Sequence, residues 1–298
     1  MKLDNFYKDK YIIFLDIEFQ NFQPRNQQEH HILEIGIIVF ERGEVNDPIL
    51  VEHINFPILP IKNMRLMGTE YSNVSEKTEK EMEEIQDKFT IKPELTDLIK
   101  KEKLIKYIPN KNVRSLLKEA ISTNNSALLD AYKEMIEKHA KKAMFLYYYN
   151  RLPNEYKKLL EKQHSLYKND SQVIKRLVNP VEYLKKLNKY LIDGLLIHKE
   201  GTDLEALRNA SQYYKVPLNI KNKFDIAVYN NKLAKVAKSP NLHNSYLYLY
   251  DEKIKNNNDI LKYHDKLIEL INKKMPKFRP HNPLVDAFMT IFVYILMK

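Results

Sequence analysis

The sequence predicts an α/β protein whose sheet-forming parts are separated by a long all-helical stretch. Three observations predict it. Short apolar runs with strand character stand at 11–19, 32–40 and 49–56. From about Pro93 to Lys189 the apolar residues recur at helical spacing instead, as at Leu128, Leu129, Tyr132, Met135 and Ile136. Strand character then returns at Leu191 to His198, with helical segments after it. The expected organisation is a core in two parts, 1–90 and 186–298, with a helical, basic insertion at 91–185.

The first run, Tyr11-Ile12-Ile13-Phe14-Leu15-Asp16-Ile17-Glu18-Phe19, opens with five apolar or aromatic residues and closes on two carboxylates one residue apart. On an extended backbone residues i and i+2 share a face, so Asp16 and Glu18 project together. Two carboxylates at the end of a buried strand repel each other, and a divalent cation relieves that repulsion. A strand that merely surfaces at its end would carry the same pair. Asn21 to His30 is polar, contains Pro24 and reads as a loop. Ile32 to Phe40 is a second strand and Ile49 to Phe56 a third, joined by connections short enough for an antiparallel meander. Pro57 and Pro60 end that run. Residues 67–74 are expected to form a loop, and Ser75 to cap an acidic helix from near Glu76.

The middle stretch is expected to hold four to six helices and no strand, with breaks at Pro109, 123–126, Pro153 and Pro180. Phe145, Tyr147, Tyr148 and Tyr149 could stack on bases, but the packed seam of this bundle is the expected place for them. After the strand at 191–198, Thr202 is the expected helix cap, which places Asp203 in the first turn of a helix reaching Tyr214. Phe224 to Val228 is a further short strand leading into a helix, and Asn256-Asn257-Asn258 is a loop. The chain ends on Pro280-His281-Asn282-Pro283-Leu284-Val285-Asp286 and an apolar helix to Met297, with Pro283 in its first turn.

Composition narrows the chemistry. With no cysteine, disulfides, thiolate zinc sites and cysteine nucleophiles are excluded. Any metal must be held by oxygen or imidazole, which favours hard ions such as Mg²⁺ or Mn²⁺. The N-terminal residues carry no signal-peptide pattern, and the apolar stretch from Ala287 to Met297 is too short to span a bilayer as a helix. A soluble, intracellular (cytoplasmic) protein with no membrane partner is expected. The net charge of +10 is uneven: 1–90 holds 10 basic and 17 acidic residues, 91–185 holds 20 and 11, and 186–298 holds 19 and 11. An acidic segment joined to two basic ones suits a metal site beside a polyanion-binding surface. A solvated lysine-rich bundle would give the insertion the same charge.

Asp16 with Glu18, Asp203, and His281 with Asp286 all fall at strand or helix ends. Asp286 stands out, because Leu284, Val285, Ala287, Phe288 and Met289 surround it in sequence, and a charge in such company must be paired or liganded.

In this order and with these flanks, the set resembles the DEDDh branch of 3′–5′ exonucleases, in the ribonuclease H-like superfamily. Phe14-Leu15-Asp16-Ile17-Glu18-Phe19 is similar to the first family motif, and Ile32-Leu33-Glu34-Ile35-Gly36-Ile37-Ile38 to the strand that follows it. The second motif corresponds to Leu196-Ile197-His198 through Gly201-Thr202-Asp203-Leu204, and the third to His281 through Asp286 with Ala287 and Thr290. The resemblance covers roughly 8–80 and 186–298, and its flavour is closest to the exoribonucleases that trim histone messenger and small RNAs. Two departures stand out. Phe19 replaces the threonine of many members, and the distance from Asp16 to Asp203 is much longer than usual, which an inserted domain at 91–185 explains.

The resemblance implies a ribonuclease H-like mixed central sheet with flanking helices plus an all-helical insertion, and two divalent cations, Mg²⁺ or Mn²⁺. Asp16 would bridge both ions, Glu18 and Asp286 would complete one shell, and Asp203 would act chiefly through water. His281 would be the general base, since an imidazole titrates near pH ~6.5. Loop 67–74 lies where members hold the terminal base. The implied partner is single-stranded RNA or DNA with a free 3′ end, RNA favoured. A DNA exonuclease and a non-catalytic nucleic-acid-binding protein on the same fold are the alternatives.

Overall fold

A computed structural model describes residues 9–22, 29–42, 47–56, 64–66, 110–123, 149, 152–163, 173, 175–236, 241–274 and 282–297. The chain divides into two compact units. The first takes Met1–Phe19, Ile32–Ile54 and Tyr183–Lys298, and the second takes Gln20–His31 and Asn55–Glu182.

The first unit is a mixed sheet with helices. Its strands are β1 (Tyr11–Phe22), β2 (Glu29–Glu41), β3 (Leu50–Asn55), β5 (Gly194–His198) and β6 (Asn222–Asp225), in the order β3-β2-β1-β5-β6. The ends of the first three strands run on into residues of the second unit. Arg42 N–H donates to the Lys10 carbonyl, so the end of β2 meets the start of β1; Ile49 N–H donates to the Val39 carbonyl. Both contacts fit the expected antiparallel meander. β5 instead runs parallel to β1, pairing Tyr11 with Gly194 and Phe14 with Ile197. β6 runs parallel to β5, pairing His198 with Asp225. β1 is thus the strand at which the direction of pairing changes.

Ile12 and Phe14 of β1, Ile38 and Phe40 of β2, and Leu195 and Ile197 of β5 share one face and one core. That core is completed by the last helix, Pro283–Met297, whose apolar run supplies Leu284, Phe288, Ile291, Phe292 and Tyr294. The Phe14 ring stands edge-on to those of Phe40 and Tyr294, at 5.9 Å in each case. Burial of this helix on several sides explains why it is apolar almost all round. Among the described residues no helix is long and apolar enough to cross a membrane.

Pro180 marks a break as expected, and three other boundaries differ from expectation. After the break Pro180 opens a helix, Pro180–Leu191, where Asn179 Oδ1 accepts from the Val181 and Glu182 N–H groups. Its missing N–H costs nothing in a first turn. Leu191, expected in a strand, completes that helix's buried stripe with Leu184 and Leu187, and the strand begins only at Gly194. Thr202 is not a cap. The helix Glu200–Tyr214 starts directly after the extended Lys199 rather than after Thr202, with Asp203 fourth in it. The short strand seen as Phe224 to Val228 is Asn222–Asp225, because Asp225 Oδ1 accepts from Ala227 N–H and turns the chain into helix Ala227–Leu233.

In the second unit β4 (Met64–Leu66) pairs antiparallel with the far end of β1, Gln20 opposite Leu66. Helix Lys111–Ser122 is capped by Asn110 Oδ1, which accepts from the Asn112 and Val113 N–H groups, and it buries Val113, Leu117 and Ala120. Helix Asn154–Gln163 carries Glu161, which accepts a hydrogen bond from the Tyr149 hydroxyl. Among the described residues of 91–185 there is no strand, only an isolated parallel bridge between Leu177 and Asn55. Phe145, Tyr147, Tyr148, the loop 67–74, the helix expected from near Glu76 and the 90/91 boundary lie outside the described residues.

Candidate metal centre

All described parts of the site belong to the first unit. Asp16 and Glu18 continue the face of β1 that carries Ile12 and Phe14, so the strand's period of two sets both carboxylates on the side of the last helix. Phe14 pairs with Ile197, and β5 ends one residue later. Asp16 therefore lies at the carboxyl edge of the parallel pair, level with the turn from which helix Glu200–Tyr214 departs. In open α/β sheets this edge, where strand direction switches, is the usual place for a ligand.

The last helix brings Asp286 to the same place. Asn282 Oδ1 accepts from Leu284 N–H at 3.1 Å and begins the helix, which puts Asp286 in its first turn. The turn lies directly on Gly36 of β2: a Cβ there would meet the Pro283 carbonyl carbon at 2.0 Å and the Leu284 nitrogen at 2.1 Å. Any other residue at 36 would push the helix start away. Asp16, Glu18 and Asp286 each offer a carboxylate oxygen, and the three oxygens lie within 4.8 Å of one another, a spacing on which one metal ion fits.

Asp203 is not in that trio but borders it. It is 3% exposed and accepts hydrogen bonds from the backbone N–H groups of Lys199 and Ile17. Its Oδ2 is buried with no hydrogen-bond partner among the described residues. Burial first, and then the charge of Asp16, hold its pKa well above the ordinary 3.8. Glu18 behaves likewise: burial, then the charges of Glu34, Asp286 and Asp203, raise it well above 4.5, with Lys199 opposing. A cluster that resists ionisation this strongly accepts either protons or a cation.

The structure thus brings together Asp16, Glu18 and Asp286, with Asp203 beside them, while His281 lies outside the described residues. Two further charges belong to this neighbourhood and were not singled out as site residues from sequence. Lys199, at the turn after β5, acts on both Glu18 and Asp203. Glu34, in the middle of β2, is 3% exposed. The signal for Glu34 is that it is the lone acid inside the apolar run 32–40.

Comparison with protein-family models, with curated proteins and with solved structures gave no match.

Proposed function

We propose that the protein is a divalent-cation-dependent 3′–5′ exonuclease on a ribonuclease H-like fold, acting on single-stranded nucleic acid with RNA favoured. The observation that carries this reading is the meeting of Asp16, Glu18 and Asp286, with Asp203 beside them, from segments as far apart as β1 and the last helix. Order, residue types and flanking motifs are those of the DEDDh resemblance.

The residues fit a hard cation. They offer carboxylate oxygens alone, and Asp203 Oδ2, with no partner among the described residues, leaves an acceptor for a metal-bound water. Asp16, Glu18 and Asp286 would hold Mg²⁺ or Mn²⁺, with Asp203 supporting a second ion through water. Such ions supply stabilisation of charge on the attacking and departing oxygens of a phosphodiester. The chain supplies the rest. Its carboxylates fix where charge is neutralised, Lys199 sets a positive charge beside Glu18 and Asp203, and His281 takes the proton from the attacking water. Residues 67–74 would hold the terminal nucleotide.

The test is digestion of RNA and DNA oligonucleotides labelled at either end, in Mg²⁺, Mn²⁺ and EDTA. The expected result is release of the 3′ label first, as mononucleotide, only with metal, and faster on RNA. A preference for DNA would replace the substrate class and keep the chemistry. No cleavage of either by a folded, metal-loaded protein would overturn the proposal.

A further inference from the structure

A polar row crosses the sheet behind the candidate site. Glu34 shares a strand face with Gly36, Ile38 and Phe40, the face that meets the last helix. His53 of β3 follows Val51 by two residues, and Val51 packs on the same core. Glu18, Glu34 and His53 therefore stand on one face of three adjacent strands, β1, β2 and β3. His53 Nε2 lies 2.8 Å from Glu34 Oε2, and the two side chains are 0% and 4% exposed. His53 Nδ1 is buried with no hydrogen-bond partner among the described residues. With Nε2 as the donor, His53 gives the Glu34 carboxylate a buried hydrogen bond.

A buried acid beside a partly buried one is costly, and a folded chain gains nothing by placing Glu34 next to Glu18 and anchoring it with a dedicated donor. The arrangement makes sense if the charge serves something absent from the bare chain. We propose that Glu34, anchored by His53, is a positioning residue of the cation site, which places a negative charge behind Glu18 and strengthens its hold on a divalent ion without ligating it. The inference rests on the metal reading above. Groups that support metal ligands from behind are worth about 10–100-fold in metal affinity, so the pair sets how much cation the protein needs.

The experiment is direct Mn²⁺ binding to the full chain by calorimetry, with thermal melting of the EDTA-treated protein alongside. Glu34→Gln keeps the shape and an acceptor for His53 but removes the charge. It is expected to weaken Mn²⁺ binding by on the order of tenfold, while the metal-free protein melts at the same temperature or higher, because a repulsion is gone. His53→Gln, which retains an amide donor, should bind nearly as wild type. His53→Phe, which removes the donor, should weaken binding as Glu34→Gln does, with no further loss in the double variant. Wild-type affinity in Glu34→Gln overturns the proposal, as does lower metal-free stability with no specific loss of Mn²⁺. If the wild-type chain itself binds no Mn²⁺, the metal reading fails and takes this inference with it.

Discussion

Gly36 and Pro283 approach so closely that a Cβ on the glycine would stand 2.0 Å from the proline carbonyl carbon. Through this contact β2 sets the height of the last helix, and hence the position of Asp286 relative to Asp16 and Glu18. Gly36→Ala must move backbone rather than a flexible side chain. It should cost at least about 1–3 kcal/mol of stability, as overpacking does, and weaken Mn²⁺ binding more than the stability loss explains. Urea denaturation and metal titration check this; wild-type behaviour in both would remove the contact from the account.

The acids trade stability for a ligand. Asp16→Asn and Asp286→Asn should each abolish at least about a hundredfold of the activity, more than is lost when only a supporting residue is changed. Each variant should also raise the melting temperature of EDTA-treated protein, since each removes a charge from a mutually repelling cluster. Activity within a few-fold of wild type in either variant would contradict their assignment.

Much of this was legible in the sequence for definite reasons. β1 shows because five apolar residues run straight into Asp16, and the last helix because Asp286 is the sole acid among apolar neighbours. Glu34 was seen as part of a motif but not as part of the site. β2 is buried throughout from His30 to Phe40, so no alternation shows which face a residue takes. Leu191 was misplaced because an apolar residue fits a helix stripe and a strand equally well. Thr202 has a capping hydroxyl, yet the helix begins earlier, at Glu200. That Asp203 would come to lie beside Asp16 across 186 intervening residues was available only through the resemblance, since periodicity carries no information about such distances.

His281 carries the proton-transfer assignment. His281→Ala should keep Mn²⁺ affinity while lowering turnover by about a hundredfold or more. The wild-type rate should fall as pH drops through the imidazole range, with that limb missing in the variant. Wild-type turnover with an unchanged acid limb would make the histidine a bystander.

Stability should depend on pH in a way that metal reverses. Glu18 and Asp203 have folded-state pKa values raised by burial and neighbouring charge above their ordinary 4.5 and 3.8. The folded metal-free protein therefore holds protons that the unfolded chain has already released. The contribution of these groups is fully present below their ordinary values and is lost as pH rises through the raised ones. A bound cation replaces those protons, so the gain in melting temperature from Mg²⁺ over EDTA should grow from pH 5 to pH 8. A gain independent of pH would contradict the proposed exchange of protons for metal, and Asp16→Asn should flatten it.

The central claim is that side chains from β1 and the last helix jointly hold a divalent cation. Crystals of the wild-type protein grown with Mn²⁺ and measured for anomalous scattering test it most directly. The account predicts a strong peak bonded to carboxylate oxygens of Asp16, Glu18 and Asp286, absent from Asp16→Asn crystals grown in the same solution. A well-ordered site with no peak among those three carboxylates, at Mn²⁺ concentrations that support catalysis, would contradict it.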